Sequence, residues 1–243
     1  MDIENVKNIL KDISIFWINL KRANTRREKM EECFVKYNLK AERIDAVDGN
    51  DIDLEEYKKK YNINEKMNKY EVACALSHLN AIETCYKKDL DYALILEDDV
   101  TFEYFDYKKE TLVFLLDELK KVNGESIQLC NIVRRKIFTN YANSNKILIK
   151  SDLAGAQAYL ITRDGMKKVL DNFVDTKNIN ISEHMIFKIA TNYIVKPYFS
   201  YPFLNDENGN KINNSFIREN NKSAHATQTI SKLLWDEYYL SQK

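Results

Sequence analysis

Residues 93–100, Ala-Leu-Ile-Leu-Glu-Asp-Asp-Val, constrain this chain more than any other stretch. Four apolar residues run without a break into three carboxylates. A continuous apolar run of this length suits a strand buried on both faces, as in the middle of a parallel sheet. Three adjacent acids at its carboxyl end repel one another, and desolvation raises their pKa values. A bound cation is the usual physical relief for such a cluster. Strand alternation places Glu97 and Asp99 on one side and Asp98 on the other. Ligands of open α/β sheets sit just beyond the carboxyl ends of strands, where these acids fall. The plainer reading of the same acids is a solvated strand-to-loop exit.

The flanking pattern alternates strand and helix. Residues 1–12 read as a short helix or arm, and Ile13 to Leu20 as the first core strand, rich in β-branched and aromatic residues. Asn24-Thr25 offers an N-cap, with Glu28 placed for a capping box, before a helix carrying Met30, Phe34 and Tyr37. Arg43 to Val47 is a short strand closed by the turn Asp48-Gly49-Asn50, and residues 51–68 read as a charged helix or loop. Lys69 to Leu90 is the clearest helix, striped by Val72, Leu76, Leu79 and Ile82; Glu71 and His78 are nearly aligned on its surface. Downstream come a helix over 107–122, strands over 126–133, 146–150 and 154–162, and a helix over 163–173. A further helix begins near Ser182 as its cap, followed by a strand over 193–199, a polar loop over 205–223 and a terminal helix over 229–240. Arg134-Arg135-Lys136 at the end of the 126–133 strand could face an anion, although such a trio is more often solvated. The alternation predicts one α/β domain over 1–243 with a largely parallel central sheet.

Composition excludes several classes of function. The 243 residues hold 37 basic and 37 acidic side chains, so no net charge favours nucleic acid or an anionic membrane surface. With only 5 Gly, neither a dinucleotide fingerprint nor a P-loop is present. A phosphate, if bound, must therefore be held by metal, side chains and ordinary backbone amides. Cys33, Cys74, Cys85 and Cys130 include no C-x-x-C pair, which argues against a zinc knuckle or a thioredoxin-like site. Cys74 and Cys85 lie about 16 Å apart along one helix at 1.5 Å per residue, too far for a disulfide. All four read as reduced thiols, as in the cytoplasm. The first residues lack the pattern of a signal peptide, and no stretch approaches a membrane span. These readings predict a cytoplasmic protein, in solution or peripheral to a membrane.

Four segments together resemble glycosyltransferase family 25, the bacterial lipooligosaccharide galactosyltransferases and the related collagen galactosyltransferases. The first is Trp17-Ile18-Asn19-Leu20 with Arg26-Arg27, continuing through Arg43-Ile44-Asp45-Ala46-Val47-Asp48-Gly49. The second is Glu71 to His78, the third Leu94 to Val100, and the fourth Gly155 to Ile161 followed by Gly165. Their order and spacing match the family over about residues 13–175. The resemblance implies a GT-A-like, Rossmann-type sandwich, a UDP-galactose or UDP-glucose donor and inversion at the anomeric carbon. It also implies Mn²⁺ or Mg²⁺ between an acidic motif and the diphosphate. A nucleotide-sugar half would span about 13–135, and an acceptor-side half about 136–243.

Residue roles follow from the same resemblance. Asp99 is expected to ligate the metal, with Glu97 on the ribose or the metal and Asp98 as a further ligand or an orienter. Asn19, Leu20, Arg26 and Arg27 should shape the nucleotide pocket. Asp45, Val47 and Asp48 would line its uracil and ribose side, and Ser77 and His78 would approach from the neighbouring helix. Gly155 and Gln157 are expected near the sugar, where a glycine permits close backbone approach and an amide serves hydroxyls. An inverting transfer needs a base on the acceptor hydroxyl. Where many family members carry an Asp, this chain has Ser182-Glu183-His184; Glu183 is the expected base and His184 the runner-up. His225 is a candidate third metal ligand. The acceptor would be a glycan, a glycolipid or a hydroxylated protein. Two other readings fit the acidic cluster: a two-metal phosphoryl-transfer enzyme, and a catalytically silent relative that binds nucleotide sugars.

Overall fold

Strand β1 (Ile15–Asn19) and strand β4 (Tyr92–Glu97) form at the two most apolar runs and lie side by side in parallel, Ile15 opposite Leu94 and Ile18 opposite Glu97. Both are covered on each face, as a continuous apolar run requires. Leu94 and Leu96 join Ile15 and Trp17 in one core layer, whereas Ala93 and Ile95 join Phe16 and Ile18 in the other. The computed structural model describes residues 2–151, 153–201 and 222–242, with side chains of the last segment described from 227 onward.

Between β1 and β4 come α2 (Asn24–Lys36), β2 (Ala41–Asp45), α3 (Leu54–Lys60), β3 (Asn62–Ile63) and α4 (Lys69–Lys87); α1 (Ile3–Ile9) precedes β1. After β4 follow α5 (Leu112–Lys121), β5 (Ser126–Gln128), α6 (Arg135–Ala142), β6 (Ile149–Lys150), β7 (Ala158–Thr162) and α7 (Arg163–Thr176). The chain continues through β8 (Asn178–Ile179), α8 (Ser182–Phe187), β9 (Asn192–Ile194) and α9 (Lys222–Leu240). Seven strands form one sheet in the order β2-β1-β4-β7-β5-β9-β6, and β3 pairs with β8 separately. Within the large sheet, β7 and β6 run against the other five strands. The expected mostly parallel α/β sandwich is present. The chain leaves β1 for β2 on one side and later returns to β4 on the other, so the crevice above β1 and β4 is a topological switch point, the usual ligand site of such sheets.

Helix α4 is the longest cover over this crevice. Its start is a capping box: Asn68 accepts from the Tyr70 and Glu71 amides, and the Glu71 carboxylate accepts from the Asn68 amide. Its inner face buries Val72, Ala75, Leu79 and Ile82. On the opposite face of the sheet, α2 buries Met30 and Phe34, and Phe34 packs on Trp17 with ring centroids 5.7 Å apart.

Several local expectations are corrected. Helix α2 begins after Ala23 with no side-chain cap, so the Asn24-Thr25…Glu28 capping box does not form. Ser182 is the first residue of α8, and Ile181 is the cap. The strands expected over 126–133, 154–162 and 193–199 are shorter, because Ile132 and Ala154 make only an isolated bridge and the chain turns away after Ile194. Arg134, Arg135 and Lys136 are exposed at the start of α6. No helix among the described residues is long and apolar enough to cross a membrane.

Candidate functional site

The carboxyl ends of β1 and β4 open into a cleft of about 670 Å³, counted out to its mouth and including open solvent. Its floor is Ile18, Leu20 and Glu97-Asp98-Asp99. Val47 and Gly49 form one wall, and Tyr70, Cys74, Ser77 and His78 of α4 form another. Arg22 and Arg26 line the rim.

Strand alternation sends the first two acids in opposite directions. Glu97 continues the Ala93, Ile95 row and meets α4, where its Oε1 lies 3.1 Å from His78 Nε2. The other ring nitrogen, His78 Nδ1, is 3.1 Å from the buried Tyr159 hydroxyl. Asp98 continues the Leu94, Leu96 row and meets the α2 side. Arg26 Nη1 donates to its Oδ1 at 2.7 Å, and Asn19 Nδ2 donates to its Oδ2 at 2.7 Å. Asn19 is itself fixed, since its Oδ1 accepts from Arg43 at 3.2 Å. The strand stops at Glu97 and 98–99 form a turn, so alternation does not extend to Asp99. Its Oδ2 lies 3.9 Å from Arg26, and its Oδ1 is buried with no hydrogen-bond partner among the described residues.

The electrostatics follow from this crowding. Burial raises the Asp99 pKa to about 7, the Glu97 charge adds to the rise, and Arg26 only partly opposes it. Burial also raises the Asp98 pKa despite the Arg26 guanidinium and the Asn19 amide. Burial by itself would lower the Arg26 pKa, but the Asp99 and Asp98 charges outweigh it and hold the guanidinium more firmly protonated. Among the described residues, the Arg26 guanidinium thus faces three carboxylates, and Asp99 Oδ1 has no hydrogen-bond partner.

A second group of residues lies beside the cleft, on the loop before β7 and at the start of α8. Gly155 has φ +111°, a region that favours glycine. A Cβ there would lie 2.9 Å from Gln157 Oε1 and 3.2 Å from the Cys130 carbonyl oxygen. The Gly155 amide donates to Glu183 Oε1 at 3.2 Å, and the Ser182 hydroxyl donates to Glu183 Oε2 at 3.2 Å. The Gln157 carbonyl accepts from the Glu97 amide at 2.8 Å, which ties this loop to the acidic strand. Gln157 Oε1 is buried without a partner among the described residues. Cys74 Sγ approaches Ser182 Oγ at 3.9 Å and so links Glu183 to the cleft wall.

Residues 12–186 match the family described as glycosyltransferase family 25 (LPS biosynthesis protein). The chain belongs to glycosyltransferase family 25. A Drosophila melanogaster glycosyltransferase 25 family member is 37% identical over 134 residues, which cover 51% of this chain and 21% of that protein. Human procollagen galactosyltransferase 2 is 27% identical over 176 residues, covering 64% of this chain and 27% of the relative. The alignments thus span between a fifth and a third of these relatives' length. The crystal structure of mouse xyloside xylosyltransferase 1 in its apo form aligns over 75% of this chain and 73% of that one, at 10% identity and a TM-score of 0.34. A likeness that weak adds nothing to the fold argument.

The family motifs converge in space, though not every residue singled out from the sequence reaches the cleft. Leu20, Arg26, Val47, Ser77, His78, Glu97, Asp98 and Asp99 line it. Asn19 sits just beneath, held on Asp98. Ser77 acts on the backbone: its hydroxyl accepts from the Val47 amide at 2.9 Å and donates to the Ala73 carbonyl at 2.7 Å. Asp48 caps the 3₁₀ turn Gly49–Asp51 and pairs with Arg22, whose hydrogen bond lowers its pKa. Asp45 is exposed and paired with Arg43, and Arg27 does not line the cleft. The structure therefore does not bring Arg27 or Asp45 to the expected nucleotide wall. Gly155, Gln157 and Glu183 form the connected group beside it. The ring of His184 makes no hydrogen bond to these residues among those described. His225 falls in the first turns of α9, where side chains lie outside the described residues. Motif reading missed Arg22, Tyr70 and Cys74 in the cleft lining and Tyr159 behind His78. The signal for Cys74 was its i, i+4 spacing from His78 on α4; Tyr159 shares one face of β7 with Ile161 by strand alternation, in the core layer that also holds the buried face of α4.

Proposed function

We propose that this chain transfers a hexose, galactose or glucose, from a UDP-sugar to a hydroxyl of a glycan or protein acceptor, with inversion at the anomeric carbon. The acidic triplet at the carboxyl end of β4 carries this reading, because it opens into the cleft at the sheet's switch point with an unpartnered Asp99 oxygen. The oxygen-rich set Asp99 and Glu97 fits a hard or borderline divalent ion such as Mn²⁺ or Mg²⁺, and the orphaned Asp99 Oδ1 is an observation in favour of such an ion. When bound, the ion would stabilise the negative charge that grows on the departing nucleoside diphosphate.

The chain's own groups supply the rest. Asp98 stays locked on Asn19 and Arg26, which positions the turn that presents Asp99. Leu20, Val47 and the α4 wall would enclose the nucleotide. Glu183 would accept the proton of the acceptor hydroxyl. The Gly155 amide and Ser182 hydroxyl orient its carboxylate, and each leaves lone pairs for that task. The 1–243 span would work as one domain, with donor contacts from about 13–135 and acceptor contacts from about 136–243.

The test is release of UDP from a panel of UDP-sugars with Mn²⁺ and simple hydroxyl acceptors. UDP release from UDP-galactose or UDP-glucose is expected, and Glu183→Gln should suppress transfer while leaving UDP affinity within about twofold, because Gln cannot take the acceptor proton and Glu183 does not line the donor cleft. Absence of UDP binding and turnover with every donor would refute the reading.

A further inference from the structure

Beside the acidic triplet the cleft holds a second set of ligand atoms with different chemistry. Cys74 Sγ, His78 Nε2 and a Glu97 carboxylate oxygen lie within 4.8 Å of one another. Cys74 and His78 are four residues apart on α4, hence on one face of the helix. Glu97 enters from the sheet because strand alternation aims it at that face. We propose that Cys74, His78 and Glu97 form a site for a thiophilic divalent ion of the Zn²⁺ type, and that this ion closes the cleft to the nucleotide.

The chemistry of the donors supports the choice of ion. A thiolate, an imidazole and a carboxylate match zinc sites with three protein ligands and an open fourth position. Magnesium and calcium, which take oxygen ligands, are disfavoured by the sulfur and nitrogen. The imidazole is already oriented, because Tyr159 OH lies 3.1 Å from Nδ1 and so fixes the ring with Nε2 toward Glu97. Such a partner behind a ligating histidine sets its tautomer and raises metal affinity. The His78–Glu97 separation of 3.1 Å already suits two ligands of one ion, so Cys74 need move only its side chain. Binding would release the Cys74 thiol proton to solvent, and a neutral imidazole beside two anionic ligands then balances the ion's charge. Glu97 is shared with the hard-cation arrangement above, and all three ligands line the cleft. Occupancy would therefore remove Glu97 from that arrangement and obstruct the cleft wall. The inhibitory consequence rests on the donor-cleft reading of the preceding section; ion binding itself does not.

Co²⁺ serves as the optical probe, added to chelator-treated, phosphine-reduced full chain. A sulfur-to-cobalt charge-transfer band in the near ultraviolet should rise to one ion per chain, be displaced by Zn²⁺ and persist in excess Mg²⁺. Cys74→Ser should lose the band. Tyr159→Phe should retain it with affinity lowered about tenfold, which a merely structural tyrosine would not do. Near-ultraviolet circular dichroism checks that both variants are folded. A band absent from the wild type, or unchanged in Cys74→Ser, overturns the site. Calorimetry with UDP then separates the two readings: Zn²⁺ should abolish UDP binding seen without it, and equal affinity in both conditions overturns the inhibitory role. A cobalt band without UDP binding in any condition would leave the metal site standing and refute the donor reading.

Discussion

Replacing Asp99 by Asn removes one charge from the most crowded point of the molecule while keeping the side chain's shape. The Asp99 carboxyl titrates near 7 in the folded protein because burial and the Glu97 charge disfavour its ionised form, against about 3.9 in an unfolded chain. A folded-state pKa raised in this way means that the native state holds its proton more tightly than the unfolded state does. The associated stability is fully present below about pH 4 and is lost as pH rises through about 7. A shift of about three units corresponds to about 4 kcal/mol at 1.36 kcal/mol per unit, and the 21% exposure of the side chain admits some solvent screening. In chelator at pH 8, Asp99→Asn should therefore stabilise the protein by about 2–4 kcal/mol, on the order of 5–15 °C in melting temperature for a domain of this size. At pH 4 the gain should vanish, because both forms are then neutral at this position. The same variant should lose the rise in melting temperature that Mn²⁺ plus UDP produces in the wild type. Paired thermal melts across pH 4–8, with and without Mn²⁺ and UDP, measure all of these. A variant less stable than wild type at pH 8, an equal gain at both ends of the range, or a surviving Mn²⁺–UDP shift would refute the reasoning.

Two further substitutions probe the supports of the site. Arg26→Ala leaves the nearly buried Asp98 carboxylate without its charged partner, and loss of one member of such a pair costs about 3–5 kcal/mol. Urea denaturation should show that loss at pH 7 and a smaller one at pH 4, where Asp98 can protonate; a loss under 1 kcal/mol would mean the pair behaves as a solvated one. Gly155→Ala places a Cβ against Gln157 and the Cys130 carbonyl at φ +111°, so a loss of about 1–3 kcal/mol is expected, with weaker transfer because the shifted loop moves the residue 155 amide away from Glu183. Wild-type stability in that variant would show that the loop's positive φ is not required.

The legible parts of the sequence were those governed by periodicity. The apolar run of 93–96 could be buried only on both faces, and the alternation of period two already set Glu97 and Asp98 on opposite sides. The α4 stripe was equally plain, with a buried face at Val72, Leu79 and Ile82. Helix ends were less legible, since Asn24, Thr25 and Ser182 carry capping side chains that the backbone does not use, while Asn68 and Glu71 form the capping box that was not singled out. The short strands at β5, β7 and β9 were overestimated because apolar residues continue past the ladder into buried loops, such as Leu129, Cys130 and Ile132.

By itself, then, the sequence determined the alternating α/β order, the two-faced burial of β1 and β4, and a set of acids at a strand exit, all of which follow from local period and composition. Which side chains meet across that exit was decided by tertiary structure. The pairing of Ile18 with Glu97 and the crossing of α4 over β4 bring Cys74 and His78 to Glu97. The reversed strand β7 carries Tyr159 behind His78, and the loop before it sets Gly155 against Glu183. These partners are up to 81 residues apart in the chain. Their contacts depend on strand order and helix placement, which balance burial over the whole sheet and leave no mark within any one segment.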